Sequence, residues 1–164
     1  FSITSLDESL RQKLEPRTTT AKKKLQVMEE LSNKGIPVGV MNAPLIPGLN
    51  HHEIPEVLKA SADAGARFAS YTVVRLNGQI SNIFKDWLSK NFPDRADKVW
   101  HQIMELHGGK VNDSNFGRRI KGDGEMAGII KKLFEVSKRK YFGEKQFAPL
   151  DLTKFRKGGA YRLF

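Results

Sequence analysis

Ala21, Leu25, Met28 and Leu31 recur at the three-to-four spacing that places side chains on one face of a helix, and they predict a helix over 19–33. Gly35 is placed to end it. The run 36–43, Ile-Pro-Val-Gly-Val-Met-Asn-Ala, is mostly apolar without polar alternation, which predicts a strand covered on both faces, as parallel strands usually are. A turn-forming loop, 44–50, follows, and Asn50 with Glu53 has the form of a helix start. Ile54, Val57, Leu58 and Ala62 then mark a helix that stops at Gly65, and 67–74 reads as a strand rich in aromatic and β-branched residues. The opening Phe1-Ser-Ile-Thr4 has the character of a strand entered midway, and Ser5 with Glu8 forms a capping-box pattern for a short helix ending near Pro16.

Beyond residue 78 only the helical spacing continues. Ile80, Ile83, Phe84, Trp87 and Leu88 predict one helix; Val99, Trp100, Ile103 and Met104 predict another, opened by Pro93 and broken at Gly108-Gly109. A polar stretch, 111–124, leads to a last helix carrying Met126, Ile130, Leu133, Phe134 and Tyr141. The order strand, helix, strand, helix, strand implies an α/β fold with a parallel sheet. Three parallel strands leave two edges and part of a face uncovered, so further strands are expected from outside the chain.

Charge divides the chain unevenly. Residues 1–109 hold 14 basic and 12 acidic side chains, whereas 110–164 hold 14 and 6. The excess sits in the C-terminal third, where a one-sided basic surface attracts phosphate, either of nucleic acid or of another anionic substrate. Lys110, Arg118, Arg119 and Lys121 are its candidate contacts, with Phe116 and Tyr141 available for stacking. The alternative is a solvated basic surface, or one that binds a protein partner. Cysteine is absent, which removes disulfides, thiolate nucleophiles and thiolate-held metals from these residues. No apolar run reaches the roughly 18 residues of a membrane span, so no membrane partner is expected and a cytoplasmic setting is the default.

In a parallel β/α fold the loops after the strands converge on one rim, where ligands bind. That rule selects Thr4 and Ser5, residues 41–50, and residues 74–78. Each also has a plainer reading: Ser5 as a helix cap, 44–50 as a stiff connector, Arg75 as a surface cation. The four histidines offer no metal pair, since His51-His52 are adjacent and His101 and His107 are six apart, neither of which puts two rings on one helix face. No metal site is assigned, and no nucleophile-elbow or phosphate-loop motif is present.

Several blocks carry a resemblance. Ser2-Ile-Thr-Ser-Leu-Asp7, Leu14-Glu-Pro-Arg-Thr18 and Gly35–Met41 running into Ala43-Pro-Leu-Ile-Pro-Gly-Leu-Asn50 resemble late strand-and-loop segments of radical S-adenosylmethionine (SAM) proteins. The branch most similar is the one related to spore photoproduct lyase, the DNA repair photolyase-like group. Ala64-Gly-Ala66, 72–78, Gly109–Ser114 and Phe116-Gly-Arg118 extend the likeness over most of 1–122. Thr19 stands where a Pro is common in that pattern, Lys24 where an Arg is common and His51 where an Asp is common; the Lys for Arg weakens any bidentate role at position 24.

The resemblance implies the C-terminal half of a partial (β/α)6 TIM-type barrel. Residues 1–78 would be its closing β/α units, 79–142 a helical extension covering the barrel, and 143–164 an irregular basic tail. The parent enzyme would hold a [4Fe–4S] cluster on three cysteines and use it to cleave SAM into a 5′-deoxyadenosyl radical. Those cysteines would belong to a missing N-terminal half, the expected partner, so this chain alone would be inactive. By the same comparison Thr4 and Ser5 would lie near the SAM ribose, Asn42 and Ile46 near ribose or adenine, and Val74 and Arg75 near adenine or the methionine carboxylate. The catalytic residues and the substrate stay unassigned.

Overall fold

The computed structural model describes residues 1–143, so the tail predicted over 143–164 lies almost wholly outside the described residues. Helix α1 spans Glu8–Leu14 and α2 Ala21–Asn33; β1 is Gly39–Leu45, α3 Ile54–Asp63 and β2 Phe68–Val73. Helices α4 (Ile80–Asn91), α5 (Ala96–Leu106), α6 (Arg118–Lys121) and α7 (Gly124–Phe142) complete the order. The chain is α/β, with β1 and β2 parallel.

The sheet is smaller than the pattern predicts: two named strands, with 1–4 joined to β1 through one parallel bridge, Ser2 to Met41. The segment is nonetheless laid along β1, because Ile3 N–H donates to Met41 O at 2.9 Å and Met41 N–H donates to Phe1 O at 2.7 Å. Past Met41 the ladder fails. The β1–β2 register shifts between Asn42 and Leu45, and the Asn42 side chain takes over, its Nδ2 donating to Ile3 O at 2.8 Å.

The apolar strand β1 is covered on one face, a correction to the expectation of two. Val40 and Asn42 are 2% and 1% exposed, whereas Met41 between them is 38% exposed. On β2, Ala69, Tyr71 and Val73 are buried while Phe68 stands out at 42%. The buried face meets α2, α3 and α7 through Met28, Val57, Leu58, Ile130 and Phe134. On the opposite face Met41, Ala43, Ser70 and Thr72 are exposed or half-buried. Among the described residues no second layer, of the kind parallel sheets usually carry, covers that face.

A second core sits at the carboxyl ends of the strands. Ile46, Leu49 and Val74 from the loops pack against Leu10 of α1, Phe84 and Leu88 of α4, and Val99 and Ile103 of α5. Helices α4 and α5 therefore roof the rim, while α7 lies against α3 below it. Both cores draw on residues before and after position 78.

Helix ends follow local chemistry with two corrections. Gly35 and Gly65 adopt φ of 77° and 85° just past α2 and α3, a conformation that suits a residue without Cβ. The cap of α1 is Asp7, whose carboxylate accepts from Ser9 N–H at 2.8 Å, so Ser5 and Glu8 do not form a capping box. Glu8 instead pairs with Arg11 at 2.6 Å. Asn50 does not cap α3 either: a 3-10 turn over His51–Glu53 intervenes, and the Asn50 side chain points back into the sheet.

Candidate functional site

The rim is held together by one amide. Asn50, fully buried, accepts from Ile46 N–H at 2.7 Å through Oδ1 and donates through Nδ2 to Thr4 O at 2.8 Å and Pro44 O at 3.0 Å. One side chain thereby ties the end of the first extended segment to the loop after β1. Sequence reasoning sees Asn50 only as a cap, because a cap and a tertiary clamp use the same residue.

Glu53 performs the matching service for the loop after residue 4. Its carboxylate accepts from Ser5 Oγ at 2.8 and 2.9 Å, from Leu6 N–H at 2.7 Å and from Asp7 N–H at 3.3 Å. Thr4 Oγ1 lies 2.7 Å from Glu15 Oε1 and 2.9 Å from Ala43 O, both acceptors for its single proton. Glu15 belongs to the Leu-Glu-Pro-Arg block, so that block closes onto the rim, and Lys24 Nζ donates to Ser2 O at 2.9 Å on the outer edge.

The six residues assigned to SAM therefore separate into three kinds. Thr4 and Ser5, 3% and 2% exposed, direct their hydroxyls at acceptors of this chain. Ile46 and Val74 are buried beneath α4 and α5 in the second core. Asn42 and Arg75 are different. Asn42 Oδ1 and Arg75 Nε are buried and have no hydrogen-bond partner among the described residues. A free cationic donor has the chemistry a carboxylate asks for, so Arg75 fits the methionine end of the group, whereas Asn42 lies with Val40 on the helix-covered face of β1.

His51 is bound into the same loop, its Nδ1 accepting Gly48 N–H at 3.0 Å. That bond requires an unprotonated Nδ1, and burial, then His52 and Lys98, lower the His51 pKa from its ordinary value. A depressed folded pKa gives stability that is complete above about pH 6.5 and is lost as pH falls through the folded value. Thermal melts from pH 7.5 to 5 are expected to show a fall of about 2 °C or more that His51→Gln removes. A variant with the full wild-type pH dependence contradicts the assignment.

The basic residues assigned to an anionic partner are unequally available. Lys121 Nζ donates to Tyr71 O at 2.9 Å and stands 3.5 Å from the Tyr71 ring centroid, so it closes the edge of β2; burial, then Lys138, lower its pKa. Lys121, one of the four candidate phosphate contacts, is thus engaged within the chain. Arg118 pairs with Asp113 at 2.5 Å and with Asp123 at 3.5 Å. The Asn115 amide, and next Arg118, hold the Asp113 carboxyl below its usual range. Arg119 lies over the Phe116 ring, 5.3 Å from its centroid, and Lys110 is exposed without an ion-pair partner among the described residues.

The loop 107–118 also contains three polar residues that sequence reasoning does not single out as a group: His107, Asn112 and Asp113. They line one cavity with Lys110 and Arg118. No group of three or more His, Asp or Glu placed to hold a metal occurs among the described residues, and no described helix is long and apolar enough to cross a membrane. Comparison with known proteins finds no matching family model, no matching curated protein and no matching solved structure.

Proposed function

We propose that this chain is the closing part of a partial (β/α)6 barrel in a radical SAM enzyme, with a substrate the sequence does not name. The observation that carries the reading is the sheet: its strands run parallel, helices cover one face, and the other face presents Met41, Ser70 and Thr72 unburied. A barrel interior has that disposition, with helices outside and the inner face completed by strands across the barrel. The strand ends converge where Asn50 binds Thr4 O and Pro44 O, which is the rim that barrels use for ligands. The order of the sequence blocks supports the same family.

In this reading Arg75 would pair its guanidinium with the methionine carboxylate, and Asn42, on the helix-covered face of β1, would hold the strand end through its bond to Ile3 O. Glu53 and Asn50 hold the two loops in register, and α4 and α5 exclude water from above through Phe84, Leu88, Val99 and Ile103. Bound at a [4Fe–4S] cluster, SAM would supply the radical chemistry of this class, and the residues of this chain would orient it and keep water away. The cluster's cysteine ligands lie outside these residues, since the chain has none. The reading frame upstream of the Phe1 codon is therefore expected to encode a Cys-x-x-x-Cys-x-x-Cys loop after a strand. A frame that encodes no such loop overturns the proposal.

A further inference from the structure

The cavity in the loop 107–118 lies outside the barrel reading and has a volume of about 260 Å³. Its deepest wall is His107, 2% exposed. His107 Nε2 is 2.8 Å from Val74 O, and a carbonyl only accepts, so Nε2 carries the proton and donates. That leaves Nδ1 as the second polar atom of the ring, and it is buried without a partner among the described residues. Asn112 Oδ1, in the same cavity, is also buried without a partner. In the neutral ring both are acceptors, and two buried acceptors in one small space call for a ligand that brings donors.

The mouth has the opposite character. Lys110 is exposed and has no ion-pair partner, and the pairs of Arg118 with Asp113 and Asp123 use Nε and Nη1, leaving Nη2 unpartnered among the described residues. Residues 110–143 carry nine basic and four acidic side chains, so the surrounding field also favours an anion. Phe116, which follows the lining residue Asn115 in sequence and lies under Arg119, is 90% exposed, and among the described residues no other exposed large apolar side chain passes 67%. A ring this exposed adds nothing to the core and offers a flat π face beside cations.

We propose that this loop is a nucleotide site. The Phe116 face stacks the base, Lys110 and Arg118 take the phosphate, and His107 Nδ1 with Asn112 Oδ1 accept protons from sugar hydroxyls or a base amino group. The pair of acceptors argues against sulfate, which brings no donor, and bare phosphate would leave the exposed ring unused. Phe116 argues against a simple carboxylic acid, which would satisfy the cations and leave the ring unused. The nucleotide is either free or a unit of single-stranded nucleic acid, and both present the same groups to the loop. The site is independent of the barrel reading, because none of its residues is assigned to SAM.

The test is fluorescence anisotropy with a labelled mixed-sequence single-stranded DNA, competed in turn by unlabelled nucleoside 5′-monophosphates and by the duplex of the same sequence. Competition by the monophosphates at equal nucleotide concentration assigns the free ligand as the source; competition that needs the unlabelled strand assigns single-stranded nucleic acid. Phe116→Ala, at a solvent-exposed position, is expected to weaken binding about tenfold. Lys110→Ala is expected to reduce the slope of log affinity against log salt by about one. The His107 Nδ1 nitrogen-15 resonance is expected to shift on addition of ligand, a readout that binding elsewhere would not give. The proposal is overturned if neither ligand binds at low salt. It is equally overturned if the duplex competes as well as the single strand and Phe116→Ala binds unchanged, because charge alone would then account for the binding.

Discussion

Replacing Asn50 with alanine is expected to lower the free energy of unfolding by about 4 kcal/mol, since two buried backbone groups and one half-buried one lose their partners at once and each buried group costs about 1–3 kcal/mol. Urea unfolding measures it as a shift in midpoint at constant slope. Asn50→Asp separates chemistry from shape. An ionised carboxylate fits the space and can still accept from Ile46 N–H, but it faces Thr4 O and Pro44 O with no proton to give. The aspartate variant is expected to lose nearly as much at pH 7 and to regain part of the loss in acid, where the protonated group has one O–H to donate. An aspartate variant as stable as the wild type would show that the clamp is not formed.

Phe134→Ala carries the second large effect. Phe134 on α7 is 5% exposed and its ring centroid is 4.6 Å from that of Tyr71 on β2, with the Lys121 ammonium above both. Removing a buried aromatic side chain typically costs about 3–5 kcal/mol. Because α7 and β2 share this core, the loss is expected in one cooperative transition followed equally by tryptophan fluorescence and by helical circular dichroism. Trp87 and Trp100 pack, half-buried, against the second core, so a fluorescence midpoint left unmoved while the helical signal shifts would show that the two cores unfold separately.

The periodic features of the chain were legible at the sequence level. The helices over 21–33, 54–63, 80–91, 96–106 and 124–142 each show the 3.6-residue spacing, and β2 shows its β-branched and aromatic content. Positions whose partners are distant in sequence were not legible. Asn50 and Glu53 form a helix-start pattern locally, yet their partners are 46 to 48 residues away, at Thr4 and Ser5. Met41 is apolar in an apolar run, and only the absence of a helix over it among the described residues makes it exposed. His107 has no sequence signal at all, since its partner, Val74 O, is 33 residues distant.

The basic cluster shows the same limit from the other side. Four cations read as one surface in sequence, but Lys121 is spent on the edge of β2 and Arg118 largely on Asp113 and Asp123. Charge counting gave the sign of the region, and geometry decided which cations remain available. Of the six residues suggested by resemblance, Asn42 and Arg75 carry buried atoms without a partner among the described residues, and the other four are packed or bonded within the chain.

The proposed place of these residues in a SAM-cleaving barrel is decided by an assay on the product of the whole reading frame, reconstituted anaerobically with iron and sulfide. With SAM and dithionite it is expected to release 5′-deoxyadenosine, and Arg75→Ala is expected to raise the KM for SAM about tenfold or more through the lost charge-assisted pair. A reconstituted protein that releases no 5′-deoxyadenosine under these conditions would contradict the account.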